Sequence, residues 1–300
     1  MPTAPGARRR TAVEWPTVAL AALCYGLWVL GTLLLPGLSP GLAFAATALA
    51  IALHSSLQHE ATHGHPFRSG RLNHLLVAPA LGLVVPFSRF RDQHLAHHLN
   101  CDLTDPYDDP ESNFLDPARW ARLAWPLRRA LRANNTLAGR ILLGPAISLP
   151  QFLWTDARAI LRGDRAARAG WLWHLPALVL VIAWVLWAPM PMWQYLLAAY
   201  LGHGLIKIRT FCEHRAHQTA RARSVIIDDH GPLSWLFLNN NLHAVHHMHP
   251  GVAWYDLPRL YRAGRARFQA VNQGYVYPGY GAVFRAHLFR AKDPVPHPLR

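Results

Sequence analysis

Two long stretches without a charged residue constrain this chain more than any other feature. No Asp, Glu, Lys or Arg occurs between Glu14 and Glu60, and none between Arg168 and Lys207. Each gap holds two helices of about 17–20 residues, the length that crosses a hydrocarbon core of about 30 Å. Uncharged turns divide both gaps, Pro36-Gly-Leu-Ser-Pro40 in the first and Pro189-Met-Pro191 in the second. The sequence therefore predicts two helical hairpins, with spans at about 17–35, 41–57, 171–188 and 192–208. Buried core helices of a soluble domain are the plainer reading. Four apolar runs that pair across uncharged turns favour the bilayer. Ala43-Phe-Ala45 resembles a signal cleavage site, but the apolar region is too long for a signal and a second span follows at once.

The charge then has a simple reading. The net charge is +14, and both short turns between spans lack Lys and Arg. Basic residues fill the rest, from Arg8, Arg9 and Arg10 to the regions after each hairpin. The positive-inside rule places both termini and the long segments in the cytoplasm, here beside a bacterial inner membrane. So basic a chain also suits nucleic-acid binding, but basic flanks are what a membrane protein shows anyway, and no nucleic-acid partner is expected. The Arg-rich stretches 118–132 and 156–170 read as helices at the headgroup level. Cys24, Cys101 and Cys212 form no close pair and no CxxC, so neither a disulfide framework nor a thiolate site is indicated.

Two further uncharged runs, Leu72–Ser88 and Ile141–Thr155, are short and carry Pro79, Pro86, Pro145 and Pro150. Both are expected to be re-entrant or interfacial, since irregular backbone at membrane depth is tolerated where protein covers it. The fold class expected is an all-α integral membrane protein. It has four transmembrane helices in two hairpins, with re-entrant or interfacial helices, under a cytoplasmic histidine-rich cap at 59–168 and 209–300. The whole of 1–300 is expected to form a single domain.

Eight histidines stand in three boxes: His59 and His63 in HEATH, His94, His97 and His98 in HLAHH, and His243, His246 and His247 in HAVHH. Neutral imidazole is the commonest metal ligand, and residues three and four apart share a helix face. Each box is expected to aim its nitrogens at one point. Eight nitrogens exceed what one tetrahedral zinc takes and suit two adjacent ions. HEATH also matches HExxH, the zinc-protease pattern with glutamate as base. With six more paired histidines, Glu60 reads instead as a neighbour of the ligands. A ligating imidazole usually donates its other N–H to a carboxylate or carbonyl. Asp105 is the acid expected to do so for box two. Asp108, Asp109 and Glu111 read as a solvated loop, and His174, His287 and His297 as background.

With these residues in place, the chain resembles the membrane fatty acid desaturase–hydroxylase superfamily, the three-histidine-box enzymes. The flanks resemble it too: His59-Glu-Ala-Thr-His-Gly-His-Pro-Phe67, Asp105-Pro106, Asn241-Leu-His-Ala-Val-His-His-Met-His-Pro250 and Trp254-Tyr255-Asp-Leu-Pro258. The likeness runs from about residue 15 to about residue 262. It implies a mushroom-like helical fold and two non-haem irons held by the eight box histidines. His214, preceded by Glu213, matches a further histidine in many members. Asn241 matches an Asn that hydrogen-bonds a metal water. It also implies O2 as co-substrate, a lipid or acyl substrate, and an external electron donor such as a ferredoxin. Val245 departs from the HxEHH of many acyl-chain members and leaves the subfamily open. The reaction implied is desaturation of a fatty acyl chain. Hydroxylation or ketolation of a carotenoid or other lipid is the alternative. A zinc intramembrane protease, or a metal transporter or sensor, is remote.

Overall fold

The computed structural model describes residues 13–100 and 102–299; Arg8, Arg9, Arg10 and Cys101 lie outside the described residues. The chain is mostly helical. In order it forms α1 (Trp15–Val29), α2 (Pro40–Thr62), α3 (Gly70–Val77), α4 (Phe87–Leu99), α5 (Pro117–Ala121), α6 (Trp125–Asn134), α7 (Leu137–Leu161), α8 (Arg165–Trp187) and α9 (Met192–Thr210). After these come β1 (Ile226–Ile227), α10 (Pro232–Leu236), α11 (His243–Met248), α12 (Leu257–Val271), β2 (Val276–Tyr277) and α13 (Tyr280–His287). The strands pair in parallel, Ile226 with Val276 and Ile227 with Tyr277.

Among the described residues three helices are long and apolar enough to cross a membrane: Trp15–Gly37, Pro40–Thr62 and Arg165–Trp187. The first is α1 extended by a π turn at Leu30–Leu34 and a 3-10 turn at Leu35–Gly37. Pro36 removes an N–H and the chain turns there. At Ser39, Oγ accepts from the Leu42 N–H and Pro40 takes the first helical position, so α2 starts cleanly. Asp164 caps α8 the same way, accepting from the Ala167 N–H at 3.0 Å. Leu23, Leu34, Leu49, Leu180, Leu186 and Trp187 point outward and stay exposed, as helices do when lipid is the solvent. The helix α9 is not among the three. Gln194, His203, Lys207 and Arg209 make it less apolar.

The run Ile141–Thr155 has the regular backbone of an interfacial helix and not that of a re-entrant dip. It belongs to one continuous helix, α7, which carries Pro145 and Pro150 inside it. Each proline deletes one ladder hydrogen bond, and the remaining bonds carry the helix through. The run Leu72–Ser88 does break. A short α3 is followed by irregular backbone from 78 to 86, and Leu83 sits at φ +68.

The structure comprises two compact units. One contains 13–92 and 144–206, the other 93–143 and 207–299. In the first, Trp28, Ile51, Leu81, Val181, Val185 and Tyr195 build the core. Gly31 permits a close approach there, since a Cβ would stand 2.5 Å from Thr47 Oγ1. Side chains reach the carbonyls at the end of α3 and along the irregular segment, where Gly82 O also accepts the Val84 N–H at 2.9 Å. Tyr25 donates to Leu76 O at 2.5 Å and Gln58 to Val77 O at 3.4 Å. Tyr195 donates to Leu81 O, His203 to Gly82 O and His174 to Leu83 O, each at 2.8 Å. An unmet carbonyl in an apolar interior is costly, so these donors fix the segment. His174 is thus a structural donor. In the second unit Ile226, Leu242, Val245, Leu257, Tyr261 and Phe268 pack around α11 and α12.

Candidate metal centre

Boxes two and three sit on helices of the second unit. Box two occupies the last two turns of α4, and box three begins α11. Each helical residue turns the chain by about 100°. Residues four apart therefore nearly coincide in direction, while neighbours diverge. The structure obeys that arithmetic and corrects the expectation of one point per box. His94 and His98 go to one group and His97 to another, whereas His243 and His247 go to the second group and His246 to the first.

The second group is a quartet of His97, His214, His243 and His247. His97 Nε2 lies 2.9 Å from His214 Nε2, which lies 3.0 Å from His243 Nε2, which lies 3.0 Å from His247 Nε2. The ligand atoms all fall within 4.8 Å of one another. In the first group His98 Nε2 is 3.0 Å from His94 Nε2 and 3.1 Å from His246 Nε2.

The far nitrogens are held by oxygen. His97 Nδ1 meets Asp109 Oδ1 at 2.7 Å and His94 Nδ1 meets Glu111 Oε1 at 2.9 Å. His243 Nδ1 meets Asn240 Oδ1 at 3.2 Å, and His214 Nδ1 meets Ser224 Oγ at 3.2 Å. A carboxylate accepts only, so His97 and His94 carry their proton on Nδ1 and present a lone pair at Nε2. An amide oxygen puts the same demand on His243. Lone pairs that converge at 3 Å repel one another. A cation among them reverses the sign. Nitrogens about 2.1 Å from a metal stand about 3.0–3.4 Å apart at adjacent tetrahedral or octahedral positions, which is the spacing found. The donor set fits a metal ion.

The electrostatics favour the neutral, ligating form of most of these rings. Burial, then the neighbouring histidines, push His214, His243 and His247 well below the usual imidazole range. Burial and then His94 and His97 push His98 down to about 3. His97 goes the other way: burial acts to lower it, but the Asp109 hydrogen bond and the Glu111 charge together raise it. Glu213 is raised by burial although Arg209 pairs with it at 3.2 Å.

Of the residues expected to surround the ligands, Glu213 lies beside box three, with Oε1 3.7 Å from His243 Nδ1. Asp105 shapes its own loop, with Oδ1 accepting from the N–H groups of Tyr107 and Asp108. The acids on box two are Asp109 and Glu111, expected to be solvated. Asp109 is buried and Glu111 partly so. Glu213 acts through Asn240, whose Nδ2 donates to Glu213 Oε1 at 3.1 Å. Asn241 donates from Nδ2 to Ile227 O at 2.7 Å and Asp229 O at 3.2 Å, and its buried Oδ1 has no partner among the described residues. Asn240, adjacent to Asn241, is the one on the box-three histidine. Nothing in local sequence distinguishes the two.

Box one lies in the first unit, at the end of α2. His59 and Glu60 are buried, and the rings of His59 and His63 stand 4.9 Å apart. The helix ends because Gly64 takes φ +88, in the left-handed region glycine adopts without cost. The loop that follows is pinned by His65, whose Nδ1 lies 2.7 Å from Glu14 Oε2 with both side chains buried.

A family model described as fatty acid desaturase matches residues 34–279. Comparison with curated proteins gives no match. The matched region takes in all three boxes, the Glu213–His214 pair and the helices that carry them, and the chain belongs to the fatty acid desaturase family.

Proposed function

We propose that this protein is an O2-dependent di-iron oxidase that desaturates a fatty acyl chain in a membrane. The observation that carries this reading is the quartet of converging Nε2 atoms, with His94, His98 and His246 converging in a separate group, together with family membership. One iron takes His97, His214, His243 and His247. The other takes His94, His98 and His246, and His59 and His63 of box one supply its remaining ligands. When bound, two irons activate O2 strongly enough to remove hydrogen from an unactivated methylene, which no protein acid or base does.

The chain's own residues supply geometry and protonation. Asp109 and Glu111 hold the Nδ1 protons of His97 and His94 and so keep their Nε2 atoms ligating. Asn240, itself held by Glu213, does this for His243. Glu60 is buried beside box one and shapes the surroundings of its histidines, and Asn241 Oδ1 accepts from a water at the site. Four spans, α9 among them, carry the site on the cytoplasmic side, where an external donor such as a ferredoxin delivers electrons. Residues 1–300 act as one domain.

A hydroxylase or ketolase of the same family is the second reading, favoured by Val245. It is fully buried in the α11 core, where many acyl-chain members carry glutamate. The zinc-protease reading leaves the quartet, which draws nothing from HEATH, without a role. Mass analysis of lipids from cells expressing the protein, with and without O2, is the test. Loss of two hydrogens is expected. Gain of oxygen supports the second reading, and no O2-dependent product contradicts both.

A further inference from the structure

We propose that residues 288–299 form a positioning strap for the metal quartet, with Lys292 and His297 holding two of its ligands in place from behind; this rests on the metal-centre reading above. Two separate tethers end on two ligands that meet each other.

The first tether starts at His297, which is buried. Its Nδ1 accepts the Leu299 N–H at 3.2 Å, so its proton sits on Nε2. That N–H lies 3.3 Å from Thr104 Oγ1. The Thr104 backbone N–H donates to Asp109 Oδ2 at 2.7 Å, and the other oxygen of Asp109 holds His97 Nδ1 at 2.7 Å. Thr104 sits at φ +75, a conformation that costs a β-branched residue energy. Such strain persists only where the surroundings impose it, and here the hydroxyl and the amide of one residue face opposite links of one chain.

The second tether is shorter. Lys292 Nζ donates to the carbonyl of His214 at 2.8 Å. His214 and His97 are the pair whose Nε2 atoms stand 2.9 Å apart. The strap itself is laid down by backbone. Lys292 N–H donates to Asn135 O, Leu115 N–H to Val295 O, and His297 N–H to Leu115 O, at 2.8–3.0 Å. A strap anchored between its two tethers sets the separation of the two ligands they reach. His297 is therefore no bystander histidine.

The test uses the full chain in detergent, stripped of metal and titrated with Co2+, read by visible absorption and by chelator competition. Partners behind a ligand typically change metal affinity by about 10–100-fold. Lys292→Met and His297→Ala are each expected to weaken one of two Co2+ sites by about tenfold or more and to alter its spectrum. His297→Gln, which keeps an N–H in reach of Thr104, is expected to restore both, and Arg290→Ala, exposed on the same strap, to change neither. Thr104→Val removes only the hydroxyl and repeats the His297→Ala result if that variant fails to fold. Parent-like Co2+ affinity and spectrum in Lys292→Met, His297→Ala and Thr104→Val overturn the strap. So does a lowered melting temperature with unchanged affinity. No Co2+ bound by the parent overturns the metal-centre reading itself.

Discussion

Asp109 decides more about this site than its place in an acidic loop suggests. One oxygen holds His97 and the other caps Thr104, and the side chain is almost fully buried. Asp109→Asn is expected to lower affinity at the quartet by roughly tenfold, measured by chelator competition, while the His94 group keeps its metal. Equal affinity in variant and parent contradicts the role. The box histidines were legible in sequence because their spacing is local. Asp109 and Glu111 were not, because they lie 12 and 17 residues from the rings they touch and a loop must fold back to bring them there. Asn240 was missed for a different reason. Asn239, Asn240 and Asn241 stand in a row, and nothing in the sequence marks which of the three faces His243.

Protonation belongs to the same scale. His98, His214, His243 and His247 have folded-state values below the unfolded value near 6.5. As pH falls below that value the unfolded chain takes up protons that the fold refuses, and stability drops. His97 is raised and opposes this trend: its contribution is present below 6.5 and lost as pH rises through its folded value. Four lowered histidines against His97 and the raised Glu213 predict that metal-free protein melts at lower temperature at pH 5.5 than at pH 7.5. A higher melting temperature at pH 5.5 contradicts the assignment of neutral rings.

Among elements, α4 and α11 show how a short motif serves two sites. In HxxHH the first and last histidines lie four apart and share a direction, while the middle one diverges. Two such helices exchange their contributions, so each group receives a pair from one box and a single ring from the other. The spacing is in the sequence, but the exchange depends on how the helices face each other. The pinned segment 76–83 makes a second case. Its prolines announced a break in Leu72–Ser88, but not the donors from α8 and α9 that satisfy it. Tyr195 links Trp28 Nε1 at 3.0 Å to Leu81 O at 2.8 Å. Tyr195→Phe leaves that carbonyl unmet in the core and is expected to cost about 1–3 kcal/mol, seen as a lower melting temperature in detergent. An unchanged melting temperature contradicts the pinning role. Proline misled at α7, where helix-breaking residues lie inside a 25-residue helix.

For the whole molecule, charge-free length was the most legible property, and three helices have what a membrane crossing needs. The fourth expected span is helical in α9, but Gln194, His203, Lys207 and Arg209 weaken its apolar signature. Tyr195 and His203 of this helix hold the irregular segment. Family membership agrees with the boxes, and it makes the metal the central question. Metal analysis of the chain purified from membranes in mild detergent answers it most directly. Two irons per chain are predicted, falling toward one in His243→Ala. A single zinc, unaffected by His243→Ala but lost in His59→Ala, would contradict the di-iron account and make HEATH the working site.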